Sequence, residues 1–180
     1  TKEGFIEIAL AGYTNAGKST LHHALTDSGV EIADKLFTTL ATKAAELDLP
    51  GRQIVLSDSV GFISNLPSAL LQAFNTTLME VSDSDVIILV VDASDSIDEM
   101  NRKVDTCLDT FNEIGANGIP IITALNKIDL VDEASVEERK EHLIEISAEV
   151  VPISPKTHES LESLIEALEQ ILPQLILYSI

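Results

Sequence analysis

Apolar runs of strand length alternate along this chain with stretches whose apolar residues recur at helical spacing. Residues 5–11, Phe5-Ile6-Glu7-Ile8-Ala9-Leu10-Ala11, form the first strand-like run, and a helical pattern opens at Thr20 and continues to about Asp27. Residues 28–42 are polar and show no clear period. Two further strand patterns, 43–49 and 53–57, meet across Leu49-Pro50-Gly51-Arg52, a Pro-Gly turn signal that predicts an antiparallel hairpin. Pro67 suits the first turn of a helix whose face is marked by Leu70, Phe74, Leu78 and Val81. Residues 86–91 are a continuous apolar run rich in β-branched side chains, as a central parallel strand requires. Between 96 and 114, Ile97, Met100, Val104, Leu108, Phe111 and Ile114 make one helical stripe, and Gly115 suits its stop. A buried strand over 119–125, a charged helix over about 135–145 and a short strand over 150–153 follow. A last helix is striped by Leu161, Leu164, Ile165, Leu168 and Ile171. The alternation predicts an α/β fold of three layers, α/β/α, around a mostly parallel six-stranded sheet with one antiparallel edge hairpin. One domain over 1–172 is expected, with 173–180 an apolar tail that packs on it or begins a connection to a further segment.

The first loop carries the strongest chemical signal. Gly12-Tyr13-Thr14-Asn15-Ala16-Gly17-Lys18-Ser19 reads G-x-x-x-x-G-K-S between a strand and a helix, the context that a P-loop NTPase requires. Glycines let backbone N–H groups close around a phosphate chain, and the following helix, opening at Thr20, offers its positive end to the same anion. Lys18 would reach the β- and γ-phosphates, and the Ser19 hydroxyl would ligate Mg²⁺.

A second motif, Asn126-Lys127-Ile128-Asp129, follows the end of a predicted strand and selects the base. A carboxylate at Asp129 presents two acceptors to the N1–H and exocyclic amino donors of guanine, a pair that adenine lacks. Asn126 would address the base edge and tie neighbouring loops, and the Lys127 stem would lie over the ring. Asp58-Ser59-Val60-Gly61 supplies D-x-x-G, with Asp58 placed to hold Mg²⁺ through water and the Gly61 N–H placed to meet the γ-phosphate. Between these motifs lies Phe37-Thr38-Thr39-Leu40-Ala41-Thr42, in which Thr38, Thr39 and Thr42 are equal candidates by spacing for a metal-binding hydroxyl. Ser154-Pro155-Lys156, after the last strand, offers loop N–H groups to guanine O6.

Composition narrows the partners. With 30 acidic against 11 basic residues and a net charge of −19, unaided binding to nucleic acid or an anionic membrane is disfavoured. The single cysteine, Cys107, excludes an internal disulfide and fits an intracellular setting. The four histidines show no zinc spacing, and no apolar run approaches the ~20 residues of a membrane span.

Taken together, these residues resemble the Era/Obg-side translational GTPases, and most closely the G domain of the HflX family. The resemblance runs through Gly12–Thr20, through Phe37-Thr38-Thr39-Leu40, and through Asp58-Ser59-Val60-Gly61-Phe62-Ile63-Ser64-Asn65-Leu66-Pro67. It continues over Leu71-Gln72-Ala73-Phe74, Thr77-Leu78-Met79-Glu80 and Asn126–Asp129. It implies that Thr39 is the magnesium threonine, beside Ser19 and Asp58, and that Lys18 and Gly61 serve catalysis. The Asp-Pro-Thr of many members is replaced by Ala41-Thr42-Lys43, and the final Ser-Ala by Ser154-Pro155. The implied function is a Mg²⁺-dependent, cytoplasmic GTP-binding switch that hydrolyses GTP to GDP and phosphate. It would associate with the large ribosomal subunit through an N-terminal domain outside this chain, and the G domain is expected to be a monomer. Phe62 stands where Ras-like enzymes place a water-orienting glutamine, and its ring has no donor or acceptor, so slow intrinsic turnover is expected. Two other readings remain: a nucleotide-dependent binding module with incidental hydrolysis, and the cytoplasmic G domain of a membrane transporter.

Overall fold

The computed structural model describes residues 5–13, 17, 20–21, 53–58, 84–116, 118–154, 162–168 and 170–171. Five strands appear among them: β1 (Phe5–Gly12), β2 (Gln53–Asp58), β3 (Val86–Asp92), β4 (Ile121–Asn126) and β5 (Glu149–Pro152). They form one sheet in the order β2-β1-β3-β4-β5, and every neighbouring pair is parallel. The expected first, third, fourth, fifth and sixth strands are therefore present. The expected second strand, 43–49, lies outside the described residues, and with it the antiparallel hairpin. Within the described sheet the partner of β2 is β1, from Phe5↔Gln53 to Leu10↔Asp58. The helix expected from Pro67 and the tail 173–180 also lie outside the described residues.

Period-two alternation sends the strand side chains into two separate cores. On one face Ile8, Leu10, Val86, Ile88, Val90, Ile122, Ala124 and Val151 pack with Leu21 and with Leu164, Ala167 and Leu168 of the last helical segment. On the other, Ala9, Ala11, Ile87, Leu89, Val91 and Leu125 meet Met100, Val104, Cys107 and Phe111. These last four lie on α1 (Ile97–Glu113), and Leu143 of α2 (Glu133–Leu143) joins the same core. The three layers are thus sorted by strand parity. Burial pushes the Cys107 thiol up to about 12, so it is a packed apolar group rather than a nucleophile.

Both helices on this face start and stop for local reasons. Ser96 caps α1, its Oγ accepting from the Glu99 N–H at 3.2 Å, and Asp98 and Glu99 complement the helix dipole in the first turn. At the far end Gly115 takes φ +79°, the Gly115 N–H donates to Asn112 O at 3.3 Å, and the Ala116 N–H donates to Phe111 O at 2.8 Å. That pair of bonds is a Schellman stop, and it places the expected glycine one residue past the cap. The start of α2 lies two residues before the expected Ser135, because Asp132 is the cap and accepts from the Ser135 N–H at 2.7 Å. Pro120 precedes β4, where its missing N–H does no harm, yet its carbonyl still accepts from Ile87 N–H at 3.0 Å.

The cap of α1 gives a direct check on this local reading. Ser96→Ala removes the acceptor of the Glu99 N–H and should cost about 1 kcal/mol. Denaturant unfolding should then show a lower midpoint with an unchanged slope.

Candidate nucleotide-binding site

Because all five strands run the same way, their carboxyl ends share one rim. β1 delivers Gly12 opposite Val90, β2 delivers the Asp58 backbone opposite Leu10, and β3 and β4 end together at Asp92↔Asn126. β5 ends at Pro152 opposite Leu125. The sheet order reverses direction at β1, which has β2 on one side and β3 on the other. Open α/β sheets bind ligands at such a switch point, beyond the carboxyl ends.

The P-loop and the N-K-x-D loop meet there. Gly17 has φ +98°, a conformation that L side chains rarely adopt, and its carbonyl accepts from the Leu21 N–H at 3.0 Å to start the helix. A Cβ built on Gly17 would overlap Asn126 Nδ2, with Asn126 Cγ at 3.4 Å and Lys127 Cε at 3.9 Å. Asn126 is buried, and its backbone carbonyl accepts from Ala93 N–H at 2.8 Å. Lys127 is the single non-glycine residue with positive φ among the described residues, at +65°. Its backbone starts a 3-10 turn, Ile128–Leu130, that carries Asp129 outward from the strand end.

Asp129 is held from the next strand. Ser154 Oγ donates to Asp129 Oδ1 at 3.2 Å, while the Ile128 N–H donates to Ile153 O at 3.3 Å and the Ile153 N–H to Leu125 O at 2.8 Å. The sequence points to backbone donors in the Ser154 loop; the structure adds a side-chain contact that orients the Asp129 carboxylate of the N-K-x-D motif. Asp129 is itself exposed, so its carboxylate is oriented at the surface of the rim.

Asp92 and Ser94 were not singled out by sequence reading. The Asp92 Oδ2 accepts from Lys127 Nζ at 2.9 Å, and its Oδ1 accepts from Ser94 Oγ at 2.6 Å and the Ser94 N–H at 2.8 Å. Burial works to raise the Asp92 pKa, but the bonds from Ser94 and Lys127 outweigh it and hold the carboxyl below its ordinary value. The available signal was an acid at the end of the most apolar strand, at a rim position next to the switch point.

Tyr13 closes β1 from the side of α1. The Arg102 guanidinium lies 5.5 Å and the Lys103 ammonium 5.4 Å from its ring centre, and Lys103 also pairs with Asp95 at 2.8 Å. The small cavity behind Tyr13, walled by Leu89, Val91, Met100, Val104 and Cys107, measures about 10 Å³, room for one water.

The structure thus brings together Gly12, Tyr13, Gly17, Asn126, Lys127, Asp129 and Ser154, with Thr20 opening the helix and the Asp58 backbone on the same rim. Thr14, Asn15, Ala16, Lys18, Ser19, Phe37, Thr38, Thr39, Gly61, Pro155 and Lys156 lie outside the described residues. Among the described residues no cluster of three or more His, Cys, Asp or Glu side chains could hold a metal.

Comparison with known proteins decides the family. The profile of the 50S ribosome-binding GTPase family matches residues 7–127. The chain belongs to that family. It is an HflX-type G domain: GTPase HflX of Thermococcus kodakarensis is 42% identical over 179 residues, 96% of this chain and 40% of the relative. The chain therefore spans about two fifths of the length of that relative. Among solved structures, a GTP-binding protein of Sulfolobus solfataricus in complex with GDP is 31% identical, with TM-score 0.65, covering 94% of this chain and 53% of that one. The G domain of the T. maritima FeoB iron transporter, 24% identical with TM-score 0.59 over 94% of this chain and 99% of that one, shares the fold alone. Among the described residues, no helix is long and apolar enough to cross a membrane.

The contact at Gly17 makes a specific prediction. Gly17→Ala combines a left-handed backbone penalty with displacement of Asn126, so GDP affinity should fall at least about tenfold. Titration with a fluorescent GDP analogue reads this directly.

Proposed function

We propose that this G domain is a nucleotide-controlled switch that binds Mg²⁺–GTP across the carboxyl rim and hydrolyses it slowly to GDP and phosphate. The observation that carries the reading is the meeting of two loops, Gly17 against Asn126 and Lys127, with Asp129 fixed by Ser154. One loop has the chemistry of a phosphate cradle and the other that of a guanine clamp, and their contact fits one ligand spanning both. GDP in the S. solfataricus relative supports the same ligand class here.

In this proposal the backbone N–H groups from Gly12 to Thr20 hold the phosphates, and Lys18 neutralises the charge that develops on the γ-phosphate as water attacks. Asp129 accepts from the guanine N1–H and amino group, Asn126 braces the P-loop, and the Ser154-Pro155-Lys156 loop lies beside O6. Ser19, Thr39 and Asp58 would hold Mg²⁺, which would supply charge neutralisation when bound. The Gly61 N–H reads the γ-phosphate, so the segment after β2 changes its contacts when that phosphate leaves. Phe62 offers nothing to orient the attacking water, which makes intrinsic turnover slow and leaves room for an activator. The family's description supports the large ribosomal subunit as partner.

The base-selecting role of Asp129 has a sharp test. Asp129→Asn should lower GDP affinity at least about a hundredfold and raise affinity for XDP, because an amide donates to the xanthine 2-oxo group. Competition titrations with GDP, XDP and ADP read both changes. Equal competition by GDP and ADP in the wild type would refute the guanine assignment.

A further inference from the structure

Lys127 is tied down at both ends. Its backbone sits in the left-handed region at φ +65°, one residue after Asn126, and its ammonium reaches across to β3. Between those ends its Cε passes 3.9 Å from the point where a Gly17 Cβ would stand. The stem therefore crosses the rim from β4 to β3 alongside the P-loop. A lysine stem has several rotatable bonds, and whatever fixes its tip fixes its path.

The tip is fixed by Asp92, both of whose carboxylate oxygens accept hydrogen bonds. One carboxylate oxygen takes the Lys127 ammonium at 2.9 Å, and the other takes both the hydroxyl and the backbone N–H of Ser94. Asp92 has little freedom of its own, with its side chain 11% exposed against 31% for Lys127. Its strand position directly opposite Asn126 sets the span that the stem must cover. The loop after it is anchored again where Arg139 Nη2 of α2 donates to Asp95 O at 2.8 Å and Lys103 of α1 pairs with the Asp95 carboxylate. Apart from Lys127 and Asn126, none of these groups belongs to the phosphate cradle or the N-K-x-D motif.

We infer that Asp92, oriented by Ser94, is a positioning residue for guanine recognition: it stretches the Lys127 stem across the rim as a preformed floor for the base. This rests on the guanine reading above and extends it to residues outside the nucleotide motifs. A preformed floor lowers the ordering cost of binding, and it serves GDP and GTP alike because the base does not change during hydrolysis. The role is one of binding, so its loss appears in KM and not in kcat.

The test is a double-mutant cycle on this chain with Asp92→Asn, Lys127→Met and the pair, reading GDP affinity, GTP turnover and circular dichroism. Asp92→Asn should weaken GDP binding about tenfold, a loss in the range of one charged hydrogen bond. The KM for GTP should rise by the same factor with kcat unchanged. In the Lys127→Met background the added effect of Asp92→Asn should be less than about twofold, because the partner it acts through is gone. Ser94→Ala should weaken GDP binding in the same direction, by about threefold, and covers the case in which Asp92→Asn does not fold. Unchanged GDP affinity in a folded Asp92→Asn, or in Ser94→Ala if Asp92→Asn does not fold, overturns the inference. So does an undiminished effect of Asp92→Asn in the Lys127→Met background, or a fall in kcat with KM constant. A wild type without preference for GDP over ADP removes the guanine site and this inference together. A wild type that prefers GDP, paired with an indifferent Asp92→Asn, removes this inference alone.

Discussion

The space beside Gly17 is filled by Asn126, and the rest of the site depends on that exclusion. A side chain at position 17 would collide with the carboxamide, and the φ of +98° would strain it in any case. Glycine lets the phosphate loop lie directly against the loop that ends β4. Two segments separated by about a hundred residues thereby form one surface. Asn126 can brace the P-loop only because β4 delivers it at the rim, and β4 is delivered there by its register with β3, Asp92↔Asn126.

The register is in turn a consequence of packing. β3 is buried along nearly its whole length and pairs with β1 and β4, so it sets the height of both flanking loops. Its odd and even positions enter different cores, and a slip by one residue would exchange them. The loops of the proposed nucleotide site thus rest on a frame whose alignment is fixed by apolar alternation. Polar ties then bind the loops to one another: Ser154 to Asp129, Lys127 to Asp92, and Arg139 and Lys103 to Asp95.

Much of this was legible in local pattern. The β-branched run of β3, the stripe of α1 with its stop at Gly115, and the motifs at Gly12–Ser19 and Asn126–Asp129 all speak through neighbouring residues, and periodicity or spacing reads such signals. The missed features are relations between distant segments. The helix α2 begins two residues before the expected 135 because the Asp132 carboxylate, which the apolar pattern does not reveal, caps it. The sequence points to Ser154 only as a backbone donor, because the approach of its hydroxyl to Asp129 depends on how β5 lies beside β4. Asp92 and Ser94 passed unnoticed because an acid at a strand end has no meaning until a lysine 35 residues later is laid across it. The roles proposed for Ser19, Thr39 and Gly61 at the metal and the γ-phosphate come from motif and resemblance.

The central claim is that one guanine nucleotide spans both loops. A crystal structure of the chain soaked with GDP and Mg²⁺ tests it most directly. The account predicts guanine N1 and the exocyclic nitrogen within about 3 Å of the Asp129 carboxylate oxygens. It also predicts the base lying on the Lys127 stem and the phosphates beside Gly17. A base seated away from Asp129, or phosphates bound elsewhere on the sheet, would contradict it.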